Sequence, residues 1–402
     1  MRYRLFDIAP VPWTFFIALV GHNSDATGPA AQAQSLRRSR TFFTIAKVKI
    51  KAAERPTRTE RALDPGAHPS QSHPRYPGDR AMTFTILVTE PTLAPAGLRV
   101  LQDADCRVLF LPREHAAAAQ LRALQAEPVH AIIARGLPIT AEAIQTARHL
   151  KVISRHGVGY NHVDVAAATA AGVAVLIASG ANAQSVAELA IGLMIAAARG
   201  LLTHDAAIRA GGWLTPAPAI QLSGRALGIV GIGAVGQKVA RLAQAIGMAV
   251  AAYDPYIARS QIPAGITQAP TLDALLDHSE ILSLHCPLTS ETASMIGPAA
   301  LARLRPGAIL INTARGPVID QPALIAALQS GHLAAAGLDT FDEEPLPPNR
   351  PIAATRNTIL TPHIGGSTGA SLAAVSEMAA TNALRALRGE PLPPGICINP
   401  PA

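Results

Sequence analysis

Five chemistry-bearing groups follow short apolar runs in the second half of the sequence: Asp254, His285-Cys286-Pro287, Arg315, the acidic stretch 339–344, and His363. An arginine offers a planar two-donor fork that matches a carboxylate and polarises a neighbouring carbonyl. A histidine gives or takes a proton near neutral pH, and a carboxylate beside it orients the ring and favours the imidazolium. Arg315, His363 and Glu344 are thus the types needed to exchange a hydride and a proton at a carbonyl acid. Each alone has a plainer reading, because a strand-end arginine is often a surface salt-bridge partner and the chain holds 13 histidines. Three fitting types at successive strand ends point instead to catalysis, since an open parallel sheet gathers its carboxyl ends along one crevice.

A second pattern places a nucleotide there. The run from Leu227 to Gly236 contains Gly231-x-Gly233-x-x-Gly236 between an apolar strand and a helix opening at about Ala234, and a second strand ends in Asp254, eighteen residues beyond Gly236. That context is what the glycines need to mean a dinucleotide site. Gly231 makes the tight turn, Gly233 lets backbone approach the pyrophosphate, Gly236 lets helix pack on strand, and the helix N-terminus attracts phosphate. Asp254 suits the adenine-ribose hydroxyls and repels a 2′-phosphate, and Pro255-Tyr256-Ile257 adds no cation, so NAD is the expected cofactor.

The elements that must position these groups read as alternating short apolar strands and Ala- and Leu-rich helices, the pattern of parallel sheets covered on both faces. Strands are predicted at 85–88, 108–111, 131–134, 152–154 and 174–177, then at 226–230, 249–253, 281–284, 308–311, 335–338 and 358–360. Between the two sets, a helix over 185–202 is apolar nearly all round and is expected to lie buried between domains or subunits.

With 402 residues, 49% hydrophobic and only 15% charged, the chain suits two packed α/β domains and excludes a coiled coil or a disordered tail protein. Cys106, Cys286 and Cys397 are too few and too scattered for a disulfide framework or a metal cluster, which fits a reducing, cytoplasmic setting. The net charge of +7 would suggest nucleic acid, but residues 1–81 hold 13 of the 34 Lys and Arg and six of the 27 Asp and Glu, leaving 21 of each sign after them. A neutral body argues against nucleic acid. The first 81 residues are basic, rich in Pro and Ser and without period, hence expected to be disordered. The apolar run 8–20 is too short to span a bilayer, although with Ala31-Gln32-Ala33 it imitates a secretory signal, which Asp7, Pro10 and Pro12 weaken. Met82 runs straight into the first strand, so the working protein is expected to begin there.

Taken together, the glycine run with Asp254, Leu284-His285-Cys286-Pro287-Leu288-Thr289, Asn312-Thr313-Ala314-Arg315-Gly316, the stretch from Leu338 to Pro345 and Pro362-His363-Ile364-Gly365-Gly366-Ser367-Thr368 resemble the D-isomer-specific 2-hydroxyacid dehydrogenases. The resemblance covers residues 82–399. It implies two Rossmann-like doubly wound parallel-sheet domains, with an NAD domain (183–364) inserted into a discontinuous substrate domain (82–182 and 365–402). It implies catalytic Arg315, Glu344 and His363, and a cofactor lined by Gly231, Gly233, Ala234, Val235, Gly236, Asp254, Cys286, Pro287, Thr313, Asp339, Gly365 and Gly366, with Asp339 on the nicotinamide amide. The loop from Arg155 to Asp164 resembles the family's substrate-carboxylate loop, with backbone N–H groups around Val158 and Gly159 facing the acid; many relatives carry Asp where Asn161 stands. Arg135 is a further candidate substrate contact. The implied activity is NAD-dependent interconversion of a 2-oxo acid and a D-2-hydroxy acid by a homodimer without nucleic-acid or membrane partners, the 185–202 helix resembling the family's dimerisation element. Two alternatives stay open. One is D-3-phosphoglycerate dehydrogenase, for which Arg135, Arg155 and His156 could meet a phosphate, though they could equally meet a carboxylate or solvent, and the other is an interaction protein like the C-terminal-binding corepressors.

Overall fold

The computed structural model describes residues 83–214 and 219–400; the expectations for residues 1–81 and for a start at Met82 lie outside them. The first sheet is built from β1 (Thr85–Val88), β2 (Arg107–Phe110), β3 (Val129–Ala134), β4 (Val152–Arg155) and β5 (Ala174–Leu176) in the order β2-β1-β3-β4-β5. The second comprises β6 (Ala226–Val230), β7 (Ala249–Tyr253), β8 (Thr267–Gln268), β9 (Ile281–Leu284), β10 (Ala308–Asn312), β11 (Leu333–Leu338) and β12 (Thr358–Leu360), in the order β12-β11-β10-β9-β6-β7-β8. All neighbours pair in parallel. Both are therefore Rossmann-like α/β layers, as expected. The strands read as unbroken apolar runs because helices cover both faces, and every residue of β4, β9 and β10 is buried. β8 has no counterpart in the sequence reading, being two polar residues long.

The strand order decides where the crevices lie. In the second sheet the chain leaves β6 toward β7 on one side and returns to β9 on the other, so the glycine turn after β6 sits at the switch point. In the first sheet the reversal falls between β1 and β3, beside Arg135 and the loop that follows β4.

The long apolar helix differs from its expected form. It runs Ala183–Arg199, stops at Gly200 in the left-handed region (φ 58°), and a second helix, Leu201–Arg209, continues at 63° to it. Ala187, Ala190, Leu193, Met194 and Ala198 pack into the core of the second sheet. The opposite side of Ala183–Arg199 is exposed and mostly polar, formed by Gln184, Glu188, Gly192, Ile195 and Arg199, whereas Leu201, Leu202 and Ile208 are exposed on the second helix and Trp213, beyond it, is 86% exposed. The helix is thus amphipathic rather than apolar all round, because one sheet covers only one flank of a cylinder and Gln184, Glu188 and Arg199 take the flank it leaves open. Among the described residues no single helix is long and apolar enough to cross a membrane.

After β12 the chain returns to the first sheet. The helix Gly369–Leu387 buries Ala379, Ala380, Ala383 and Leu384 against Ile86, Val88 and Leu101. Ser154 Oγ donates to the Ala379 carbonyl (2.8 Å), and the final stretch exchanges backbone hydrogen bonds with β5 through Ile177, Ile396, Ile398 and Val175.

Candidate active site

β11 is followed by Asp339, which is 1% exposed and fully engaged. Its Oδ1 accepts from Thr361 Oγ1 (2.6 Å) and the Ile364 N–H (2.8 Å), and its Oδ2 from the Gly365 N–H (2.8 Å). Ser185 Oγ adds a bond to the Gly365 carbonyl (2.6 Å). These bonds hold the loop after β12 in a shape that sets His363 at φ 51°, a conformation costing a side-chain-bearing residue on the order of 1 kcal/mol. The ring then meets Glu344: Nδ1 lies 2.7 Å from Oε2, while Oε1 accepts from the Phe341 N–H (2.9 Å). With Nδ1–H turned to Glu344, Nε2 is left for a reacting oxygen. Burial pushes the Glu344 carboxyl up, but the hydrogen bonds from His363 and Phe341 and the charges of His363 and Arg315 outweigh it, holding the group below the usual carboxylate range.

Arg315 follows β10 on a turn shaped by buried Asn312, whose Nδ2 donates to the Arg315 carbonyl (2.8 Å) and whose Oδ1 accepts from the Ala314 N–H (2.9 Å). The guanidinium reaches across to the first sheet. Nε points to Asn161 Oδ1 (3.4 Å), and a Cβ added to Gly159 would stand 1.6 Å from Nη2, so the fork rests directly on the Gly159 backbone. The Val158, Gly159 and Tyr160 N–H groups find no partner among the described residues. Burial draws the Arg315 pKa down and Glu344 opposes this, leaving a cation. Three unpaired donors beside a fork can receive a carboxylate, with a proton-bearing imidazole across the cleft.

On the other side, Gly231 has φ 88° and lies so close to the next loop that a Cβ would stand 2.7 Å from the Cys286 nitrogen. At Gly236 a Cβ would stand 2.1 Å from the Gly231 carbonyl oxygen, whereas above Gly233 there is open space. The helix Ala234–Ala245 starts from Gly233 with no side-chain cap, so its first N–H groups are free for an anion. Asp254 Oδ2 accepts from the Ile232 N–H (3.0 Å) and Oδ1 from the Tyr256 N–H (3.0 Å), locking the glycine turn to the end of β7 with lone pairs to spare. An uncapped helix start, an opening above it and a carboxylate at its rim fit a dinucleotide. Cys286 is buried, which pushes its thiol up to about 11, and Pro287 is exposed beside it. Thr313 is buried with Oγ1 3.4 Å from His285 Nδ1, and a Cβ on Gly366 would stand 3.1 Å from Asn182 Nδ2. Ala234 is exposed and Val235 half-buried on the first turn of the helix.

Residues 191–365 match the family described as D-isomer specific 2-hydroxyacid dehydrogenase, NAD binding domain. A glyoxylate reductase from Korarchaeum cryptofilum (strain OPF8) is 40% identical over 266 residues, covering 64% of this chain and 79% of that protein. The chain belongs to the D-isomer specific 2-hydroxyacid dehydrogenase family. A D-3-phosphoglycerate dehydrogenase from Methanocaldococcus jannaschii is also 40% identical, over 261 residues that make up 64% of this chain but only 50% of that relative, so the chain spans about half its length. Among solved structures, the TT0316 protein from Thermus thermophilus superposes with a TM-score of 0.70 at 34% identity, covering 78% of this chain and all of that one.

Within this family member, three side chains behave differently from the sequence expectation. Arg155 is 7% exposed and turned inward, its Nε donating to the Gly159 carbonyl and its Nη1 to the Arg135 carbonyl, both at 2.8 Å. His156 Nε2 lies 2.7 Å from Ser376 Oγ on the returning helix. Neither is free for a phosphate; of the three basic residues considered, only Arg135 is exposed. Asp339, expected at the nicotinamide amide, already accepts three hydrogen bonds, from Thr361 Oγ1 and from the Ile364 and Gly365 N–H groups. Sequence reasoning missed Asn161 as the partner of Arg315, and His162, whose pKa is lowered by burial and by Arg155 and Arg315. Their adjacency to Gly159 was the available signal.

Burial, helped by Arg135, pulls the His156 pKa down to about 4, and burial pulls His285 down to about 3. Each stays neutral in the fold but takes up a proton on unfolding below about pH 6.5, so its contribution is whole above that pH and shrinks as pH falls toward the folded value. Each should steepen the loss of stability by at most about 1.4 kcal/mol per pH unit between pH 6 and pH 4, and by less near pH 4 for His156. Urea unfolding across that range should show a slope smaller by that amount in His156→Gln; equal slopes would contradict a neutral buried His156.

Proposed function

We propose that this protein interconverts a 2-oxo acid and a D-2-hydroxy acid using NAD. The observation that carries the reading is the Arg315 fork lying on the Gly159 backbone while the Glu344-oriented His363 ring completes the same cleft. When bound, NAD supplies or accepts the hydride at the substrate carbon. Arg315 and the N–H groups of Val158, Gly159 and Tyr160 hold the substrate carboxylate, and Arg315 polarises the carbonyl. His363 delivers a proton from Nε2 to the carbonyl oxygen during reduction and takes it back during oxidation, with Glu344 stabilising the charged ring. Gly231, Gly233, Gly236 and the helix they open receive the pyrophosphate, and Asp254 the adenine ribose.

The inward turn of Arg155 and His156 favours a small unphosphorylated oxo acid over a phosphorylated one. In this reading residues 82–182 and 365–402 form the substrate domain, 183–364 the NAD domain, and the two crossings between them the hinge over the cleft. A homodimer would cover the exposed Ile195, Leu201, Leu202 and Ile208. The three free cysteines suit a reducing cytoplasm. The test is NADH consumption with glyoxylate, hydroxypyruvate, pyruvate, phenylpyruvate and phosphohydroxypyruvate, repeated with NADPH. Turnover of at least one unphosphorylated acid is expected, with higher kcat/KM for NADH. A preference for phosphohydroxypyruvate would favour the phosphoglycerate reading, and tight NADH binding without any turnover an interaction protein.

A further inference from the structure

Arg155 is a buried guanidinium whose hydrogen-bond partners are two backbone carbonyls. Among the described residues no carboxylate lies within salt-bridge distance of it. An uncompensated buried cation opposes folding, so its presence beside a cleft asks for a counter-ion that comes and goes. The surrounding charges sharpen the point. Burial, and after it the charge of Arg315, draw the Arg155 pKa down to about 10, which still leaves two cations facing one region at neutral pH. Glu344, whose charge acts on Arg315, is already hydrogen-bonded to His363.

The bonds also shape the loop. Nε holds the Gly159 carbonyl inward, and because a trans peptide carries its N–H opposite its C=O, the Tyr160 N–H is turned away from Arg155. Nη1 ties the same side chain to the end of β3 at Arg135, so one guanidinium sets the spacing of the loops after β3 and β4.

We propose that Arg155 is a positioning residue for substrate binding: it presents the Val158–Tyr160 N–H groups to the acid and lends them a positive charge that the substrate carboxylate neutralises. This rests on the oxo-acid reading above. The test uses full-length protein loaded with NADH, with oxalate as a probe for the carboxylate site, and compares Arg155→Met and Arg155→Lys with the natural chain. Arg155→Met should weaken oxalate binding by about 10- to 100-fold, the usual worth of a charge-assisted contact. KM for the preferred oxo acid should rise by a similar factor, kcat should change less, NADH affinity should hold, and the melting temperature should stay or rise as the unpaired charge leaves. Arg155→Lys, which keeps the charge and is the fallback if the methionine variant does not fold, should recover part of the oxalate affinity. The proposal is overturned if Arg155→Met binds oxalate as the natural chain does, or if both variants lose oxalate and NADH affinity together with a falling melting temperature. Natural protein that binds no oxalate and reduces no oxo acid would instead overturn the functional reading.

Discussion

Replacing His363 by Gln or Ala is expected to lower kcat for oxo-acid reduction by about 10²- to 10⁴-fold, the range of a positioned general acid. The His363 side chain bonds to Glu344 and not to the glycine turn or Asp254, so NADH affinity, measured by fluorescence titration, should barely change. Glu344→Gln tests the same pair more finely. Its carboxyl is held below the usual range, so across neutral pH it stays ionised and faces the ring as a constant negative charge. Removing that charge disfavours the imidazolium, and the alkaline limb of the reduction profile should move to lower pH. Oxidation needs neutral imidazole and should extend to lower pH in the same variant. If neither limb moves, or if His363→Ala keeps near-normal turnover in both directions, the acid/base assignment is wrong.

The second large effect belongs to Arg315. Two charge-assisted hydrogen bonds to a carboxylate, at about 1.5–3 kcal/mol each, correspond to roughly 10²- to 10⁴-fold, and Arg315→Met should lose about that much in kcat/KM for the oxo acid. Arg315→Lys keeps the charge without the fork and should recover only part, with KM and kcat both impaired. The side chain lies on Gly159, with Nη1 donating to the Ala314 carbonyl (2.6 Å) and Nε pointing to Asn161, and makes no hydrogen bond to the glycine turn, so NADH affinity should again hold. A methionine variant with unchanged KM would remove Arg315 from the substrate site.

The two sheets were legible because parallel strands covered on both faces must be apolar along their whole length, and such runs stand out between alanine-rich helices. Strands 226–230, 249–253, 281–284 and 358–360 agree residue for residue, and β8 escaped because two polar residues carry no period. The long helix was misjudged at its end. Gly200 reads as one more small residue in an apolar run until its left-handed φ turns the chain by 63°. The exposure of Leu201, Leu202 and Ile208 was equally hidden, since hydrophobicity reports what a residue avoids and not which neighbour covers it.

The residue types of the site, their order, and their places after successive strands are properties of the chain, because strand ends are local and a parallel sheet aligns them. The partnerships are not. Arg315 and Gly159 are separated by more than 150 residues, Arg155 and Arg135 by 20, and His156 and Ser376 by 220. Whether Arg155 and His156 face a ligand or turn inward depends on which backbone carbonyl or hydroxyl stands opposite, and those partners come from other elements. Motif and spacing carry what a strand and its following turn do locally. Charge balance, loop orientation and the direction of a long side chain follow only when the returning helix and the second sheet close against the first.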